Sequence, residues 1–148
     1  MILNIDRNAA VVVRRDIRID APIERVWHLH TDIDGWTAWQ SDIDSAAADV
    51  PLRPGVTFHW STAGLQIAST VYAVDPPHRI LWGGPAHGIT GIHEWTFAAD
   101  GDATVVHTAE SWDGQQVRAD ADNLRAALDA SLASWLEHLR KAAENTNP

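Results

Sequence analysis

The chain has 148 residues, 45% of them hydrophobic and 21% charged, with nine Gly and seven Pro, the balance of one soluble globular domain rather than two. It has no cysteine, which excludes disulfides, thiolate metal sites and cysteine nucleophiles. Its 11 Lys and Arg against 20 Asp and Glu give a formal net charge of −9, the wrong sign for phosphate backbones or anionic headgroups, so neither nucleic acid nor a membrane surface is an expected partner.

Residues 1–16, MILNIDRNAAVVVRRD, lack the basic-then-apolar layout of a signal peptide, and no stretch approaches the ~18 apolar residues of a membrane helix. A cytoplasmic protein without membrane insertion is expected. Residues 10–20, AVVVRRDIRID, are β-branched and end in alternation, Ile17 and Ile19 against Arg18 and Asp20, which predicts a strand with one buried face. Asp20 or Ala21 as cap, Pro22 near the first position and Glu24 in the first turn predict a short helix, with Ile23, Val26, Trp27 and His30 on its apolar side. Asp32 to Trp39, with Gly35 inside it, reads as a second short helix or turn packed through Trp36 and Trp39.

Pro51, Pro54 and Gly55 mark a loop. Strands are predicted over Val56 to Thr62, Leu65 to Val74, Arg79 to Trp82, Ile89 to Ala98 and Ala103 to Trp112. Their separators are Ala63-Gly64, Asp75 to His78, Gly83-Gly84-Pro85 and Asp100-Gly101-Asp102. After Gly114 the period changes, and Leu124, Leu128, Ser131, Leu132, Trp135 and Leu139 form an apolar stripe on a helix of roughly five or six turns. The tail from Ala143, ending NTNP, is expected to fray. The elements make an α+β protein in which a curved antiparallel sheet of about six or seven strands is covered by a long C-terminal helix.

The run Asp20-Ala21-Pro22-Ile23-Glu24-Arg25-Val26-Trp27, followed by Thr31 to Trp36 and Trp39, resembles the opening of the SRPBCC superfamily, the START-like helix-grip proteins. Gly91 to Phe97 and Ala103 to Gly114 look like the penultimate strands of its polyketide cyclase/dehydrase-type branch, and the leucine-spaced final helix also matches. The likeness covers residues 10–142 of a single domain spanning 1–148. It implies a deep hydrophobic cavity between sheet and final helix, used across the superfamily for aromatic cyclisation, dehydration or carriage of lipids and hydrophobic metabolites.

Strand parity says which residues see that cavity. If Ala98 pairs with Ala103, opposite residues share a face. One face then holds His93, Trp95, Phe97, Thr104, Val106, Thr108, Glu110 and Trp112, and the other holds Glu94, Thr96, Val105, His107 and Ala109. The first is the more aromatic and is assigned inward. Phe58 and Trp60, and Ile80 and Trp82, follow by the same alternation, leaving His59 and Leu81 outside. The candidate ligand-binding set is Phe58, Trp60, Trp82, Trp95, Thr108 and Trp112 from the sheet with Leu128, Leu132 and Trp135 from the helix, since indoles offer broad flat surfaces to a planar ligand. Equally, these rings could fill the space themselves. Trp27, Trp36 and Trp39 read as core packing.

His93 and Glu110 are the candidate catalytic pair, placed diagonally, roughly 7 Å apart by strand geometry. A carboxyl and an imidazole in a pocket can polarise a carbonyl, abstract a proton alpha to it or assist loss of water. The alternative is that His93 fills space with a satisfied hydrogen bond and Glu110 caps a loop or bonds the helix. His28 and His30 are two apart and share no helix face, and HExxH, EF-hand, GxGxxG, P-loop and GxSxG patterns are missing. No metal and no cofactor are expected. The segment Gly83 to Gly88 reads as a turn at the cavity mouth with His87 exposed. Unlike aromatic cyclases, the strands show no clear inward Arg, and Tyr72 has unassigned parity. The expected partner is a small hydrophobic, aromatic or polycyclic molecule, with lipid transport among the family's roles and a homodimer left open. Two other functions stand beside binding: a cyclase or dehydratase working through His93 and Glu110, and a stress-response or partner-regulating module with a filled cavity.

Overall fold

The computed structural model describes residues 2–145. Seven antiparallel strands, β1 (Val11–Ile19), β2 (Ile43–Ala47), β3 (Thr57–Thr62), β4 (Leu65–Asp75), β5 (Arg79–Ala86), β6 (Ile89–Asp100) and β7 (Ala103–Asp113), form one curled sheet in the order β1-β7-β6-β5-β4-β3-β2. Between β1 and β2 lie α1 (Ile23–Thr31) and a 3-10 turn (Ile33–Ala38); after β7 come α2 (Gln115–Ala119) and α3 (Ala121–Glu144). α3 lies in the grip of the sheet, burying Leu128, Leu132, Trp135, Leu136, Leu139 and Ala143. This is the α+β helix-grip architecture expected from the sequence.

Differences in the strands have local causes. β2 was not predicted, because Ile43-Asp44-Ser45-Ala46-Ala47 is poor in β-formers; it is an edge strand that pairs only with β3. Gly83-Gly84-Pro85 is strand rather than turn. A Cβ on Gly83 would sit 2.1 Å from the Gly91 carbonyl oxygen, so this glycine lets β5 and β6 close together. The true turn is the next pair, His87 and Gly88, both at positive φ (52° and 82°), as a two-residue I′ hairpin requires.

The β6–β7 hairpin is also tighter than expected. Asp100 pairs with Ala103 across Gly101-Asp102, so Phe97 faces Val106, Trp95 faces Thr108, and His93 faces Glu110. The register is displaced by two residues. Side-chain direction repeats every two residues, so every inward and outward assignment survives, while His93 and Glu110 become direct cross-strand neighbours rather than diagonal ones.

Leu81 is on the outer face yet fully buried. Ile5 packs over it with Ile92 and Ala109, joined by Ile2 and Tyr72. The N-terminal segment is tied down by Asp6 N–H donating to Ser111 Oγ (2.9 Å) and by Arg79 donating to the Leu3 carbonyl (2.8 Å). Nor does α3 fray at Ala143, which is buried and whose carbonyl accepts from Arg25 Nε at 2.6 Å. Residues 146–148 of the NTNP tail lie outside the described residues.

Candidate functional site

The space between sheet and α3 is divided. Toward α1 and the 3-10 turn it is solid with rings. Trp36 meets Trp135 edge-on at 5.1 Å and Phe58 at 5.6 Å, and Trp135 meets Trp95 at 5.6 Å, the edge-to-face geometry aromatic quadrupoles favour. His30 is wedged among them, 4.3 Å from Trp95 between centroids. Both its ring nitrogens are buried without a hydrogen-bond partner among the described residues, and burial pushes its pKa down to about 3, so it is a neutral ring in the aromatic core.

Toward the β3–β4 and β5–β6 hairpins the space is hollow, a cavity of about 250 Å³. Trp60, Trp82 and Trp135 form the partition with the packed half, while Trp112, Leu128 and Ser131 line the remaining walls with Ile67 and Ile89. Gly91 lets the wall stay flat, since a Cβ there would press on the Trp112 indole at 3.3 Å. His87 and Asp42 are at the mouth. His87 Nε2 is 2.8 Å from the Gln66 carbonyl, and Gln116 of α2 donates to the His87 carbonyl at 2.9 Å. These bonds link the two hairpin tips and α2.

His93 and Glu110 both line the cavity, with side chains 3% and 16% exposed. Burial keeps His93 neutral, its pKa held well below the ordinary value, and the hydrogen bonds then place the protons. The Thr108 hydroxyl donates to the Glu94 carbonyl (3.1 Å), so toward His93 Nε2 at 2.7 Å it accepts, and Nε2 carries the imidazole proton. Nδ1 is then an acceptor, 3.1 Å from Glu110 Oε1, and a stable contact needs the proton on the carboxyl. Glu110 Oε2 accepts from Trp112 Nε1 at 2.7 Å. Burial likewise raises Glu110 to about 7 against the opposing hydrogen bond from Trp112. A neutral carboxyl facing a neutral imidazole, poised to lose its proton near pH 7, is suited to general acid and base work.

The family model described as polyketide cyclase / dehydrase and lipid transport matches residues 10–144. The chain belongs to that family. No curated protein matches it. Among solved structures, a hypothetical protein from Helicobacter pylori is similar at TM-score 0.80 and 17% identity, over 97% of this chain and 98% of that one. A START superfamily protein from Mycobacterium smegmatis is similar at TM-score 0.81 and 12% identity, over 92% and 99%. The di-domain ARO/CYC protein BexL, from a biosynthetic pathway, is similar at TM-score 0.73 and 17% identity; the match covers 95% of this chain but 52% of BexL. At these identities the likeness shows a shared START-like fold.

Within this polyketide cyclase/dehydrase family member, the candidate residues fall into two places. Trp60, Trp82, Trp112, Leu128 and Trp135 line the hollow with His93 and Glu110. Phe58, Trp95 and Leu132 are sealed in the packed half, and Thr108 is behind His93 as its hydrogen-bond partner. Sequence reasoning passed over Ser131 as a wall residue, His87 as a hairpin link and His30 as an aromatic-core ring. His30 was already on the apolar stripe of α1, the one signal that could have found it.

Proposed function

We propose that the protein binds a small, flat, predominantly apolar molecule in the hollow half of the grip, between Trp60, Trp82, Trp112 and Trp135. The observation that carries this reading is the hollow itself: a chain with eight Trp could have closed its interior, yet four of them wall a cavity of about 250 Å³. Trp82 also carries a buried indole N–H with no acceptor among the described residues, a donor available to orient a ligand. Family membership supports the same reading, because cyclisation, dehydration and lipid transport all need an apolar chamber. Titrating the protein with two- and three-ring aromatic compounds while following Trp fluorescence tests it. Saturable quenching or a spectral shift is expected, and Ser131→Phe, which fills the wall from α3, should abolish it. No response across the panel would refute the proposal.

A second reading, catalysis of cyclisation or dehydration, is favoured by one specific observation: Glu110 and His93 are in contact at 3.1 Å on the cavity wall. In that role His93 Nδ1 holds the protonated Glu110 carboxyl in place, the carboxyl passes that proton to a carbonyl or departing hydroxyl, and Trp112 Nε1 supports the carboxylate left behind. Glu110→Gln and His93→Ala should abolish turnover of a polyketide-like substrate while leaving affinity within a few fold; unchanged turnover would refute it.

A further inference from the structure

The charges around the cavity are one-sided. Among the described residues that line it are two carboxyls, Asp42 and Glu110, two imidazoles, His87 and the buried His93, and no Lys or Arg. A fatty-acid carboxylate or a phosphate placed there would be desolvated without a counter-charge, and the chain's formal charge of −9 would repel it during approach. The four wall indoles point the other way, because the face of a Trp ring attracts a cation, most strongly once water is excluded. When Glu110 ionises, Trp112 Nε1 continues to donate to its Oε2 at 2.7 Å, while its Oε1 gives up the hydrogen bond to His93 Nδ1 and is free to face a positive charge. At the mouth, Ser134 Oγ donates to Asp42 Oδ2 at 2.6 Å, fixing the second carboxylate beside the entrance.

We infer that the cavity takes an organic cation, a flat apolar body bearing a quaternary or protonated nitrogen, held by the faces of Trp60, Trp82, Trp112 and Trp135 and balanced by Glu110. The inference rests on the ligand-binding reading above and narrows it to one class. The ligand's positive charge balances the Glu110 carboxylate across the cavity.

Calorimetric titration of the full chain at pH 8 with three bicyclic probes of matched shape decides it: N-methylquinolinium, 1-methylnaphthalene and 1-naphthoate. The cation should bind at least about tenfold tighter than the neutral hydrocarbon, and the anion should not bind detectably. In Glu110→Gln the cation's advantage should shrink to within about threefold while the hydrocarbon's affinity is kept. Equal or tighter binding of the hydrocarbon or the anion by the unaltered protein overturns the cation assignment and leaves ligand binding intact, and a cation preference that survives Glu110→Gln overturns Glu110 as the counter-charge. Binding of none of the three overturns both readings, and the comparison on the unaltered protein stands whether or not the variant folds.

Discussion

Replacing Glu110 by Gln should make the protein more stable at pH 8 and leave it about as stable as the parent at pH 4.5. In the folded chain the carboxyl titrates at about 7, against 4.5 as its ordinary value. The fold therefore holds this proton more tightly than the unfolded chain. The stabilisation associated with it is fully present below about 4.5 and lost as pH rises through about 7. Each tenfold change in proton affinity corresponds to about 1.4 kcal/mol, so the full loss is about 3 kcal/mol. The side chain is only 16% exposed, so solvent screening removes little of this. Gln keeps an amide donor for His93 Nδ1 and a carbonyl acceptor for Trp112 Nε1, and it never ionises. Subtracting the parent's urea-unfolding free energy from the variant's at each pH cancels the histidines to first order and isolates Glu110. The difference should be near zero at pH 4.5 and climb to about 3 kcal/mol by pH 8. A flat profile would refute the reasoning. So would a variant weaker by several kcal/mol at neutral pH, the result expected if Glu110 were ionised against a protonated His93 and the substitution broke a buried ion pair.

Three further outcomes follow from the packing. Trp36→Ala removes the fully buried hub that touches Phe58 and Trp135, and should lower unfolding free energy by about 3–5 kcal/mol in a denaturant melt. Gly83→Ala puts a methyl 2.1 Å from the Gly91 carbonyl oxygen. It should destabilise by about 2 kcal/mol or more and accelerate amide exchange along β5 and β6. His30→Leu should remove an acid sensitivity. The folded imidazole titrates at about 3, so the unfolded chain protonates first. Stability tied to the neutral ring is complete above about 6.5 and lost as pH falls toward 3, and thermal melts of the variant between pH 6.5 and 4.5 should show a shallower decline than the parent's.

The faces of this sheet were legible because side-chain direction has period two. Phe58 and Trp60, His93, Trp95 and Phe97, and Thr104, Val106, Thr108, Glu110 and Trp112 share the inward face as alternation requires, even though the β6–β7 register differs by two residues. What alternation cannot give is height along the strand. Trp95 and His93 share a face, yet one is sealed among rings and the other borders the hollow, because that outcome depends on which α3 residue arrives opposite. Gly83-Gly84 misled for a related reason: glycine signals a turn and a close backbone approach with the same letter. The strap at Ile2 to Ile5 over Leu81 was illegible because its few apolar residues carry no period.

The partition of Trp60, Trp82 and Trp135 separates two kinds of evolutionary freedom. On one side, substitutions at Trp36, Trp95 or Leu132 strike the load of the fold and are purged. On the other, Ser131, Ile67, Ile89 and Trp112 border empty volume, where a change of size or polarity alters which molecule fits with little loss of stability. A lineage carrying this frame can exchange one ligand for another by altering the walls of the hollow, and directed evolution should begin there.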